Sequence, residues 1–152
     1  MLDINGLEVR YAKIHGGEGC QPDVLLSIEK LLGVKLPSDF VAIAKFYSGG
    51  LLGGISHHDV GIDGDATNIV RETFRLRQAV DLTPEFIVLA EPSESLVVLH
   101  ICGEPAVIWC DSVDAMNISL MAYENPPNYW FSYASFFSHL LDQEELERGV
   151  AE

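Results

Sequence analysis

Residues 28–50, IEKLLGVKLPSDFVAIAKFYSGG, decide how this chain is read, because they spell two short amphipathic helices joined by a defined turn. In the first helix Val24, Leu25, Ile28, Leu31 and Leu32 recur at helical spacing and predict an apolar stripe over residues 22–32. Gly33 ends it by supplying the left-handed residue that favours a helix stop. Phe40, Ile43, Ala44 and Tyr47 make the same stripe on a second helix, expected over residues 37–48. Its start at Leu36-Pro37-Ser38-Asp39 puts proline where the first turn needs no N–H donor, and an aspartate near the positive end of the helix dipole. Gly49-Gly50 stops it.

Working outward, residues 51–63 are glycine-punctuated and predict a short strand near 60–62, followed by a helix over 66–80 with Asp65 or Thr67 as its cap. Phe86 to Ala90 reads as a strand. Residues 96–101 and 106–110 read as an antiparallel hairpin, with Gly103-Glu104 as a two-residue turn. These runs are apolar almost continuously, which predicts a sheet covered on both faces or one face serving as an interaction surface. Asp111, Ser112, Asp114 and Asn117 mark a loop, and Asn125-Pro126-Pro127-Asn128 a second, rigid one. Tyr129, Trp130 and Phe131 lead into a final helix over 132–146, whose stripe is Tyr133, Phe136, Phe137, Leu140 and Leu141 and whose Glu144, Glu145 and Glu147 form a solvated end. The expected fold is a single α+β domain in which an antiparallel sheet of about four to six strands packs with about four helices.

The order of isoleucine-glutamate, leucine-glycine, leucine-proline-x-aspartate-aromatic and a glycine pair resembles the start of the SUKH superfamily, which holds bacterial immunity proteins and fungal regulators of cell-wall synthesis. Further matches follow in the family's order: residues 71–77 on a middle helix, residues 82–90 entering a strand, residues 106–111 as a later strand, and residues 133–141 as the closing helix. The resemblance runs over residues 22–142. It implies a protein that neutralises a cognate toxin by direct contact, or a regulatory scaffold like the fungal members.

Composition fits that scale. A chain of 152 residues buries roughly 70% of its unfolded surface as one domain. It is 48% apolar yet carries a net charge of -14, enough for a full core beneath an acidic exterior. No apolar run approaches the roughly 18 residues of a membrane span, and the start lacks a signal peptide's basic-then-apolar layout. The expectation is a cytoplasmic protein. Cys20, Cys102 and Cys110 are odd in number and at no metal-ligand spacing, which favours reduced thiols.

The charges divide unevenly. From residue 78 to 147 there are twelve acidic residues and no lysine or arginine, whereas residues 1–77 hold ten acids and eight bases. A purely acidic half leaves a negative field unless the first half covers it. Such a field repels nucleic acid and anionic membrane and attracts a basic partner.

Candidates for chemistry are types without spacing. His57-His58-Asp59, with Asp63 and Asp65 nearby, offers metal-ligand types, but successive strand residues point to opposite faces, so a polar loop is expected. The run from Asp63 evokes a calcium loop and fails at Asn68 and Phe74, where the turn glycine and the bidentate glutamate belong. His100 between Leu99 and Ile101 reads as a sheet histidine, and Cys102 and Cys110 as small hydrophobes. Gly49-Gly50 and Gly53-Gly54 lack the lysine and hydroxyl of a phosphate loop.

The resulting expectation is a binding protein with no cofactor, no metal and no catalytic residues. Its partner is a basic protein toxin, and a nuclease fits because nucleases are basic where they hold phosphate. Glu91, Glu94, Glu104, Asp111, Asp114 and Glu124, near strand ends and loops, supply the attraction, and Tyr129 and Trp130 are the candidate anchors. A small hydrolase is the remaining alternative.

Overall fold

Among the described residues, six antiparallel strands cross one sheet in sequence order: β1 (Gly50–Leu52), β2 (Ile55–His57), β3 (Phe86–Ala90), β4 (Ser95–His100), β5 (Val107–Asp111) and β6 (Asn128–Trp130). Around it lie α1 (Ile4–Ile14), α2 (Pro22–Leu32), α3 (Ser38–Ala44), α4 (Ile69–Val80), α5 (Tyr133–Glu147) and a 3-10 helix, Ser112–Leu120. These elements come from a computed structural model that describes residues 3–15 and 19–149.

The helical pair at the start is held by its own side chains. Gly33 takes the left-handed conformation that closes α2, at φ 70°. Glu29 then reaches across the turn to accept the Leu36 N–H at 2.8 Å, which fixes where α3 begins. Asp39 serves a different helix from the one it was expected to favour: its carboxylate accepts the Ala134 N–H at 2.9 Å, in the first turn of α5. Helix α3 is shorter than the expected span because the Ala44 carbonyl accepts the Cys20 N–H at 2.6 Å, while Lys45 and Phe46 continue as a turn.

The sheet is covered on both faces, as continuous burial of β3 requires. On one face Ile87, Leu89, Val97, Leu99 and Val107 meet α1, α2, α3 and α5, with Phe40, Tyr47, Tyr133, Phe136 and Phe137 as the large fillers. On the other, Phe86, Val88, Leu96, Val98, Ile108 and Cys110 meet Leu76 of α4 and Ile118 of the 3-10 helix. Strand β2 pairs with β3 only at His57 and Ala90. Where it leaves, the Val88 N–H donates to the Thr73 hydroxyl at 2.9 Å, so α4 supplies the missing partner.

Several expectations are corrected. The strand expected at 60–62 is displaced to the β1–β2 hairpin, because Gly53 and Gly54, at φ 63° and 84°, make the reversal there. Helix α4 starts three residues later than expected, capped by Asn68, whose side chain accepts the Arg71 N–H at 2.8 Å. The β4–β5 hairpin forms in the expected antiparallel sense, but its loop is longer than two residues: the ladder resumes at Leu99 and Val107, since Pro105 has no N–H to offer it. Leu31 lies exposed on α2. Glu145, expected in a solvated end, takes a two-pronged contact from Arg10 of α1, at 2.8 and 3.1 Å.

Helix α1, the 3-10 helix and β6 were not foreseen at all. The 3-10 helix replaces the loop expected at Asp111 to Asn117, and β6 forms where the candidate anchors Tyr129 and Trp130 were expected to lead into α5 without a strand.

Candidate partner-binding face

Strand β5 ends at Asp111, and the chain turns at once into the 3-10 helix. Met121 stops that helix in the left-handed conformation, at φ 55°. The next stretch is pinned from within. Asp114, with 0% exposure, accepts the N–H groups of Glu124 at 2.7 Å and Asn125 at 3.2 Å. Asn125 donates its side-chain amide to Asp111 at 2.8 Å. Pro126-Pro127 follows, and β6 pairs with β5 through Val107 and Trp130, Ile108 and Tyr129, and Trp109 and Asn128.

Alternation along β6 sends its aromatic side chains to opposite faces. Trp130 turns toward α5, with its ring 5.0 Å from Phe136 and 5.2 Å from His139. Tyr129 turns the other way and is 53% exposed, and Phe131 beyond the strand is 73% exposed. Six of the twelve exposed large apolar side chains among the described residues lie in this one stretch: Val113, Met116, Leu120, Met121, Tyr129 and Phe131. Met121, Tyr129 and Phe131 come together around one groove, and exposed apolar side chains gathered in this way mark interaction sites more often than singly scattered ones do.

Carboxylates border that stretch without basic neighbours. Glu94, in a turn at φ 60°, lies with Asp111, Val113 and Asn125 around a shallow depression at one end of the sheet. Glu104 lies with Tyr129 and Phe131 at the other. Among the described residues Glu94, Glu104, Asp111 and Glu124 make no ion pair with a lysine or arginine, whereas Glu91, Asp142, Glu144 and Glu145 all do.

The structure therefore divides the expected partner-binding residues. Glu94, Glu104, Asp111, Glu124 and Tyr129 fall on the exposed face. Asp114 is buried and works as an internal brace for the 121–127 stretch, a role its position in a loop concealed. Trp130 packs inward. Glu91 sits at the end of β3 in a network with α4, where Arg75 donates to it and to Glu72, and His58 bonds it through Nε2 at 3.1 Å. Burial pushes the Glu91 carboxyl up, and the bonds from Arg75 and His58 outweigh this and hold it below its usual range. Met121, Tyr123 and Phe131 were missed. Their signal was the recurrence of large apolar residues among polar ones from 113 to 131, a pattern without helical or strand period.

The other candidates for chemistry are tied into the fold. His58, Glu72 and Glu91 bring three ligand atoms within 4.8 Å of one another, but the Arg75 guanidinium bridges both carboxylates and supplies the positive charge there. His57 is enclosed, with Nδ1 2.7 Å from the His58 carbonyl and Nε2 2.9 Å from the Tyr133 hydroxyl. Burial pushes the Cys110 thiol up to about 11, away from the thiolate a nucleophile needs. Cys110 pairs with Leu96 near the start of β4, and His100 ends that strand about 13 Å away at strand rise. His100 instead stacks on Phe86, at 4.8 Å between ring centroids. No helix among the described residues is long and apolar enough to cross a membrane.

No protein-family model matches the chain, and no curated protein sequence matches it.

Proposed function

We propose that this chain is a binding protein of the SUKH immunity type, which neutralises a basic protein toxin by docking it on the face formed by the 3-10 helix, β6 and the sheet ends beside them. One observation carries the reading: half of the exposed large apolar side chains among the described residues fall between residues 113 and 131, beside the carboxylates Glu94, Glu104, Asp111 and Glu124, in a part of the chain with no lysine or arginine. Apolar contact supplies the short-range energy of such an interface, and unpaired rim carboxylates supply steering and discrimination against acidic surfaces. The same field disfavours nucleic acid as the ligand. A nuclease fits as the toxin, since its phosphate-binding surface is basic.

The test is co-expression in bacteria with the toxin encoded beside this gene. Restored growth, together with a purified stoichiometric complex, is the expected result. Continued toxicity with the protein folded and abundant, and no complex on mixing, would overturn the proposal in favour of a regulatory role.

A further inference from the structure

We propose that the groove between the β4–β5 loop and β6 receives an arginine side chain of the partner, stacked among aromatic rings and neutralised by Glu104. The inference rests on the reading that a basic protein docks on this face, and it names the group recognised. The groove, about 490 Å³ in volume, is lined by Glu104, Pro105, Met121, Tyr123, Tyr129 and Phe131. Three rings and one carboxylate meet there, and no basic side chain lines it.

Tyr129 and Phe131 are two residues apart at the end of a strand, which brings them out on one side. Tyr123 lies opposite, its hydroxyl donating to the Met121 sulfur at 3.3 Å. Burial pushes the Tyr123 phenol up to about 12, so it remains a neutral ring at physiological pH. Aromatic faces carry negative charge density and attract a cation placed over them. A guanidinium suits this lining better than an ammonium: it is planar, it is weakly hydrated, and its edge N–H groups reach a carboxylate while its face lies on a ring. An apolar side chain would bury Glu104 without compensation, and an acidic one would meet like charge.

The test titrates the full chain with a capped Gly-Arg-Gly peptide and its lysine and glutamate counterparts, following ring-proton resonances by NMR. The arginine peptide is expected to shift the Tyr123, Tyr129 and Phe131 resonances and to bind more tightly than the lysine peptide. Phe131→Ala and Glu104→Gln should each weaken it about threefold, with Glu94→Gln unchanged. Both side chains are exposed, and unfolding midpoints report whether the fold is intact. Unmoved ring resonances, equal binding of the lysine peptide, or wild-type affinity in either variant overturns the arginine site. If the peptide binds as expected and no toxin is neutralised, the site stands and the immunity reading falls. A toxin bound equally well by wild type, Phe131→Ala and Glu104→Gln keeps the immunity reading and removes the arginine site.

Discussion

The Tyr133 hydroxyl donates to His57 Nε2 at 2.9 Å, joining the first turn of α5 to strand β2 inside the core. The other ring nitrogen, Nδ1, faces the His58 carbonyl at 2.7 Å, so the proton sits on Nδ1 and Nε2 accepts. Tyr133→Phe removes the donor and leaves a buried acceptor unpaired, with almost no change in shape. The expected loss is about 1–3 kcal/mol of stability, read from urea unfolding.

The same bond predicts a pH dependence. Burial holds His57 down at about 4, outweighing the favourable His58 carbonyl contact, whereas an unfolded histidine titrates near its ordinary value of 6.5. The folded value is the lower one, so the neutral ring's contribution is complete above pH 6.5 and is lost as pH falls from there toward 4. The shift corresponds to about 3 kcal/mol. Between pH 6.5 and 4.5, unfolding is expected to take up about one proton, and His57→Gln should remove that uptake. An unchanged slope in the variant would assign the dependence to other groups.

Arg75 is expected to exclude divalent metal from the site formed by His58, Glu72 and Glu91. Its guanidinium already bridges both carboxylates and occupies their oxygens, so wild type should show no zinc stabilisation at micromolar concentrations. Arg75→Ala frees three ligand atoms within 4.8 Å of one another. Zinc affinity, measured by calorimetry, is expected to rise at least about tenfold, and by less if Glu72 and Glu91 splay apart once unbridged.

Asp114 tests whether the proposed docking face is braced from below. Asp114→Ala leaves the Glu124 and Asn125 N–H groups without their acceptor and should cost about 2–3 kcal/mol. Hydrogen exchange at those two amides should accelerate more than exchange in β4. Uniform acceleration across the sheet would show that Asp114 braces the whole fold.

Steering and anchoring on the proposed face should separate kinetically. Reversing charge at Glu94, Asp111 and Glu124 is expected to slow toxin association and flatten its dependence on salt. Tyr129→Ala should instead speed dissociation, at a cost of about 2 kcal/mol. Trp130→Ala should act on folding, by about 3 kcal/mol, because its partly buried ring packs on Phe136 and His139. Surface-plasmon kinetics at two ionic strengths, with unfolding midpoints as the control, distinguish the three.

Local chemistry was enough to determine much of this protein. Apolar periodicity marked α2, α3 and α5, the αL glycine fixed the end of α2, and unbroken apolar runs predicted β3, β4 and β5 in a sheet either covered on both faces or using one face for interaction. The absence of bases from residue 78 to 147 is a property of the chain before it folds. Tertiary structure decided what depends on partners distant in sequence. Helix α3 ends where Cys20 takes the Ala44 carbonyl, Asp39 serves α5, and Thr73 completes an edge that β2 leaves open. The candidate site divides for the same reason. Asp114 and Asp111 are alike in sequence, yet one is enclosed against two amide groups and the other is exposed. Tyr129 and Trp130 are neighbours that a strand sends to opposite faces. Burial and facing follow from which elements pack together, and a residue's own neighbours in sequence do not specify that.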